Sequence, residues 1–239
     1  VELAGAGRGA AFWRMEKREE STVPVRAVVC DVGETLVDDT RFWRRWARWF
    51  DIPEHTMSAL VGAMLGQGRD NAEAFTYVRG QAIDLAAERQ RREHAGMGEY
   101  LDEDDLYPDV RDALSQLRDA GIWIGIAGNQ TRRAGELVRA LNLPVDAIAT
   151  SEEWGVTKPD LGFFERIVAT APCEAGEIVY VGDHPDHDIR PAARAGLRTA
   201  HVRRGPLGYL YADAAETLAH ADWRVDSLTA LADILAPAR

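Results

Sequence analysis

Asp31, Asp183, Asp186, Asp188 and Lys158 stand where a chain would place reactive groups. Asp31 closes the apolar run Val25-Arg26-Ala27-Val28-Val29-Cys30, and Asp183 follows a second run, Glu177-Ile178-Val179-Tyr180-Val181-Gly182. Runs of this kind are expected to be buried parallel strands. In an open α/β sheet, ligands sit beyond the carboxyl ends of the strands. If the two strands are neighbours, their carboxylates converge on one edge, where unpaired they would repel and raise one another's pKa. A divalent cation relieves that repulsion, and an all-oxygen donor set suits Mg²⁺. Helix capping accounts for any one of these aspartates, but less well for their coincidence. The chain has only two lysines, Lys17 and Lys158, every other strong base being Arg. Lys158 is therefore a candidate for work that needs a compact ammonium.

The elements that must position these groups follow from pattern. Strands are expected at 25–31, 122–127, 145–150, 177–182 and 198–203, and helices at 109–120, 131–142, 160–170, 188–195 and 227–235. This alternation predicts an α/β fold, a doubly wound parallel sheet with helices on both faces. Residues 40–95 break it. They carry no strand-like run and show helical periodicity in about three pieces, with Pro53 near a helix start. The expected organisation is a leader over 1–24, disordered or extraneous, an α/β core over 25–38 and 106–239, and an inserted all-helical cap over 39–105.

Composition excludes several classes. The 239 residues carry a net charge of −11, which opposes nucleic-acid binding unless a local basic stripe overrides it. The one stripe, Arg41, Arg44, Arg45 and Arg48, alternates with Phe42, Trp43, Trp46, Trp49 and Phe50 at helical spacing. It reads as a packed aromatic face with solvated arginines. No apolar run spans a bilayer, so no membrane partner is expected. Two cysteines, Cys30 and Cys173, make no disulfide framework, which suits a reducing cytoplasm. The oligomeric state is not legible.

Four motifs stand in order: Asp31-Val32-Gly33-Glu34-Thr35-Leu36, then Gly125-Ile126-Ala127-Gly128-Asn129, then Lys158-Pro159 with Phe164 downstream, then Gly182-Asp183-His184-Pro185-Asp186-His187-Asp188. Together they resemble the haloacid dehalogenase (HAD) superfamily, in its phosphatase-like branch with a helical cap. The resemblance implies a HAD-like Rossmannoid core and Mg²⁺-dependent hydrolysis of a small phosphorylated molecule. Asp31 matches the nucleophile that forms an aspartyl-phosphate. Lys158 matches the lysine that neutralises nucleophile and phosphoryl charge. Asp183, Asp188 and the Gly33 carbonyl match positions that, with Asp31, hold the metal. Backbone N–H groups around Gly128 and Asn129 are left to meet the phosphoryl group.

Two positions depart from that pattern. Gly33 stands where phosphatases of this family carry a second aspartate that protonates the leaving group, and loss of such help costs ~10²–10⁴-fold. Gly128 stands where a Ser or Thr hydroxyl is usual. Glu34 and His184 are the nearest substitutes for the missing acid, and Gly33→Asp is expected to raise phosphatase activity. Catalytic degeneracy, with binding of a phosphorylated ligand or a protein partner, is one alternative. Dehalogenation is another, against which the acidic fourth motif argues. A phosphonate-hydrolysing site would need a cap lysine, and residues 40–105 contain none. In the cap, Arg41, Arg44, Arg69 and Arg79 are candidates to meet a substrate anion, though salt bridging is the expected use of each.

Overall fold

The computed structural model describes residues 23–236; the expected leader lies almost wholly outside them. Six strands form one parallel sheet: β1 (Ala27–Cys30), β2 (Trp123–Gly128), β3 (Ala147–Thr150), β4 (Ile178–Gly182), β5 (Arg198–Val202) and β6 (Trp223–Val225). Their spatial order is β3-β2-β1-β4-β5-β6. The winding reverses between β1 and β4, and a ligand crevice opens at such a switch point. The first five strands lie on the apolar runs of the sequence. The sixth is three residues of Trp-Arg-Val at the sheet edge, too short to show a period.

Side chains alternate between the two faces of each strand, and here both faces are buried. Val28 and Cys30 of β1 join one cluster with Ile124, Ile126, Val179 and Val181, covered by Val110, Leu114 and Leu117 of the helix Val110–Asp119. Ala27 and Val29 face the other way, with Tyr180, against Phe163, Phe164 and Ile167 of the helix Leu161–Thr170. This is the doubly wound architecture that the sequence predicts. Burial pushes the Cys30 thiol up to about 12, so it serves as an inert core residue.

Residues 40–94 leave the sheet and fold as the helices Thr40–Phe50, Glu54–Gly66, Ala74–Arg79 and Leu85–His94. The expected third piece is divided in two. Gly80, at φ 69°, ends one helix in a left-handed turn, and the Asp84 carboxylate caps the next by accepting from the Ala87 N–H. These helices own a separate apolar cluster, in which Trp46, Phe50, Met57, Val61 and Met64 surround Phe75. The Phe75 ring lies 4.5 Å from that of Trp46 and 5.3 Å from that of Phe50. Phe75→Ala is expected to destabilise this block by about 3–5 kcal/mol, read as early loss of amide-exchange protection over 40–94 while the sheet stays protected. The chain enters and leaves the block side by side. The Asp38 N–H donates to the Asp105 carbonyl (2.8 Å), and the Tyr107 N–H donates to the Leu36 carbonyl (2.9 Å).

Among the described residues no helix is long and apolar enough to cross a membrane.

Candidate active site

Asp31 sits one residue beyond β1, and its N–H donates to the Val181 carbonyl of β4 (2.9 Å). The chain then folds back tightly: the Leu36 and Val37 N–H groups both donate to the Val32 carbonyl (2.9 Å each). Buried Arg204 pins this turn, donating from Nη1 to the Thr35 carbonyl (2.7 Å) while pairing with Asp109. Beyond β4, Asp183 is held through its carbonyl, which lies 3.0 Å from Nε2 of the buried His201. A carbonyl only accepts, so Nε2 carries the proton. Asp188 follows on a π-helical turn, Pro185–Ile189. It comes so close to β4 that a Cβ on Gly182 would lie 2.3 Å from its Oδ2, which is why only glycine fits there.

Lys158 arrives from a different loop. The Asn129 side chain grips that loop with both ends of its amide: Nδ2 donates to the Lys158 carbonyl (3.0 Å), and Oδ1 accepts from the Lys158 N–H (2.8 Å). Asn129 was expected to meet a phosphoryl group through its backbone, and its side chain proves to position the lysine. The ammonium then bridges two carboxylates, at 2.8 Å from Asp31 Oδ1 and 2.7 Å from Asp188 Oδ1.

Carboxylate oxygens of Asp31, Asp183 and Asp188 lie within 4.8 Å of one another, all three residues buried. Burial pushes the Asp31 carboxyl up to about 6, with Lys158 pulling down and Asp188 pushing further up. Burial, then Asp188 and Asp31, hold Asp183 well above the usual carboxylate range. Burial works against the Lys158 ammonium, but Asp188 and Asp31 outweigh it and keep it charged. One ammonium thus serves three buried carboxyls. Such an all-oxygen cluster can hold a hard divalent cation. Both Asp188 oxygens are already engaged, Oδ1 by Lys158 and Oδ2 by the His184 N–H (3.0 Å). Asp31 and Asp183 keep the freer oxygens.

These groups line a pocket of about 450 Å³. Its other wall comes from the helical block, through Trp43, Ser58, Val61, Leu65 and Asn71. Gly33 and Asn129 also line it, and Gly128 lies directly against Asp31. A Cβ on Gly128 would lie 2.4 Å from Asp31 Oδ1 and 3.2 Å from Val32 Cγ2. Gly128→Ser is therefore expected to turn the Asp31 carboxylate away from Lys158 and lower turnover by about tenfold or more. The check is steady-state kinetics alongside an unchanged circular-dichroism spectrum.

The two substitutes for the missing acid are both occupied. Glu34, in a left-handed conformation at φ 53°, accepts from the Tyr107 hydroxyl (2.5 Å). His184 accepts the Asp186 N–H on Nδ1 (3.2 Å) and stacks on His187 at 4.1 Å. Burial, then His187, lower its pKa to about 4. The arginines of the helical block are engaged by acids: Arg41 by Asp102 and Asp105, Arg44 by Glu54, Arg69 by Glu73 and Arg79 by Glu88. None of the four lines the pocket. Trp46 is core, as its spacing suggests, whereas Trp43 reaches the pocket wall.

Asp39 is a site residue beyond those that the sequence predicts. It lines the pocket. Burial, then Glu34, Asp31, Asp38 and Asp105, hold its carboxyl well above the usual range. The one sequence signal was its place in the acidic pair Asp38-Asp39 just after the first motif.

A doubly wound sheet with an acidic crevice at its switch point and a buried lysine defines an α/β enzyme fold of the HAD type. Residues 25–196 match the haloacid dehalogenase-like hydrolase family, and the chain belongs to it. It is 33% identical over 132 residues to a glyceraldehyde 3-phosphate phosphatase of Methanocaldococcus jannaschii, covering 54% of this chain and 56% of that protein. It is 35% identical over 141 residues to a ribulose-1,5-bisphosphate 5-phosphatase of Halopiger xanaduensis, covering 57% and 59%. The chain thus spans little more than half the length of these curated relatives. The fold is shared with the magnesium-bound HAD-hydrolase YfnB of Bacillus subtilis, at 19% identity and TM-score 0.66 over 89% of this chain and 99% of that one.

Proposed function

We propose that the protein is a Mg²⁺-dependent phosphatase of small phosphorylated metabolites, acting through an aspartyl-phosphate on Asp31. The observation that carries this reading is the Lys158 ammonium fixed between Asp31 and Asp188, beside Asp183, at the floor of a metabolite-sized pocket. Asp31, Asp183 and the Gly33 carbonyl would hold the cation, with Asp188 supporting it; the bound cation would offset phosphoryl charge. Lys158 keeps Asp31 ionised and oriented, and it meets the negative charge of the transferring group. An Asp31 oxygen attacks phosphorus, the bond to the leaving oxygen breaks, and water then releases phosphate and regenerates the carboxylate. The helices of 40–94 act as a cap that excludes water and selects substrate. The acidic fourth motif and the intact lysine favour this over dehalogenation or a purely binding role.

The pocket also favours a substrate class. Lys158 is the only Lys or Arg that lines it among the described residues, and six carboxylates share that lining. A second phosphate would meet no cation, so sugar monophosphates, of the triose and pentose size that the relatives' names suggest, should be turned over at least tenfold faster than bisphosphates. The test is phosphate release from such a panel with Mg²⁺ or with a chelator. Mg²⁺-dependent release from monophosphates supports the reading. Silence across the panel, or release indifferent to the chelator, removes it.

A further inference from the structure

The acidic group that Gly33 lacks is present in space. A Cβ built on Gly33 would lie 3.2 Å from Asp39 Oδ2, 3.7 Å from Oδ1 and 3.8 Å from Cγ. The Asp39 carboxyl therefore occupies the volume into which a side chain at position 33 would project. The backbone explains how a residue six positions later arrives there. Glu34 takes a left-handed turn, the Glu34 N–H donates to the Val37 carbonyl (2.7 Å), and Gly33 and Val37 form a β-bridge. The chain doubles back and delivers Asp39 beside Gly33.

Asp39 is also not doing the ordinary work of its position. It stands at the N-cap of the helix Thr40–Phe50, where an aspartate normally accepts an N–H of the first turn. Its side chain makes no such bond. The cap bond to the Thr40 N–H comes instead from Asp38 Oδ1 (2.8 Å). The Asp39 carboxyl is left facing the pocket that holds Asp31, Lys158 and Asp183.

We propose that Asp39 is the general acid and base of the reaction, a catalytic residue supplied from the N-cap that leads into the helical block. This rests on the phosphatase reading above. When an Asp31 oxygen bonds to phosphorus, the P–O bond to the substrate alcohol breaks and its electron pair stays on the leaving oxygen. The Asp39 carboxyl gives that oxygen its proton, and the alcohol departs. The resulting carboxylate then takes a proton from water as the water oxygen attacks phosphorus. The bond from phosphorus to Asp31 breaks, phosphate leaves, and both carboxyls return to their starting state.

Because Asp39 already fills the space, Gly33→Asp alone should not raise activity, contrary to the expectation from sequence. An added carboxyl would crowd a like group whose nearest oxygen must give way by a few tenths of an ångström.

The experiment compares two probes that differ in their need for a proton. The alkoxide of glyceraldehyde 3-phosphate needs one to leave, whereas the stabilised phenolate of p-nitrophenyl phosphate does not. Asp39→Asn should lower kcat/KM for the sugar phosphate by about 10²–10³-fold, and lower the burst of p-nitrophenolate by less than tenfold. Gly33→Asp with Asp39→Ala should recover at least tenfold of the lost sugar-phosphate rate, since it returns a carboxyl to the same volume. Equal losses on both probes, unrescued by the double substitution, would mark Asp39 as structural and overturn the proposal, as would wild-type rates in Asp39→Asn. A wild-type protein that releases phosphate from neither probe overturns the phosphatase reading itself, and this role with it.

Discussion

Asp31→Asn should abolish phosphate release, by about 10³-fold or more, and leave the protein at least as stable as the wild type. The loss follows from chemistry: an amide of the same shape cannot attack phosphorus and persist as an acyl-phosphate. The retained stability follows from the geometry. Asp31 is one of three buried carboxyls that crowd each other, and burial with Asp188 already pushes it up to about 6. Removing one negative charge leaves Lys158 paired with Asp188 at 2.7 Å and relieves repulsion on Asp183. Activity and melting temperature should therefore move apart. A variant that loses both has suffered a fold defect and says nothing about the nucleophile; a variant that keeps activity removes Asp31 from the chemistry.

Lys158→Met should do the opposite and lower activity and stability together. The ammonium is buried between Asp31 and Asp188, and removing one partner of a buried ion pair costs about 3–5 kcal/mol because the other charge is left uncompensated. Here two carboxylates are stranded. Phosphate release should fall by about 10²-fold or more as phosphoryl charge goes unmet. One readout of the missing charge needs no turnover. A divalent cation should return some of the missing positive charge, so Mg²⁺ should raise the melting temperature of Lys158→Met more than that of the wild type. An equal or smaller shift in the variant would mean that Mg²⁺ does not bind beside these carboxylates.

What was legible in the sequence divides along physical lines. Strands buried on both faces leave continuous apolar runs, and five of the six could be read that way, whereas Trp223-Arg224-Val225 at the sheet edge carries no such run. Asp31 and Asp183 were legible because the carboxyl end of a strand fixes where its next residue lies. Lys158 stood out by composition, as one of two lysines among many arginines. Asp39 was not legible. Its approach to Gly33 depends on a left-handed Glu34 and a bridge between Gly33 and Val37, and neither leaves a periodic trace. The Asn129 amide clasp and the His201 hold on Asp183 are equally tertiary: each joins segments 18 to 29 residues apart. The sequence predicts salt bridges for the arginines of the helical block, but the identity of each partner follows only from how the helices pack.

The aspartyl-phosphate on Asp31 is tested by acid-quenched turnover with Mg²⁺ and a sugar monophosphate, followed by mass analysis of the peptide that carries Asp31. An aspartyl-phosphate mechanism predicts one phosphoryl group on Asp31, removed by hydroxylamine and absent from Asp31→Asn. Steady phosphate release from the wild type, with no phosphoryl group on Asp31 at any quench time and undiminished release by Asp31→Asn, would contradict it.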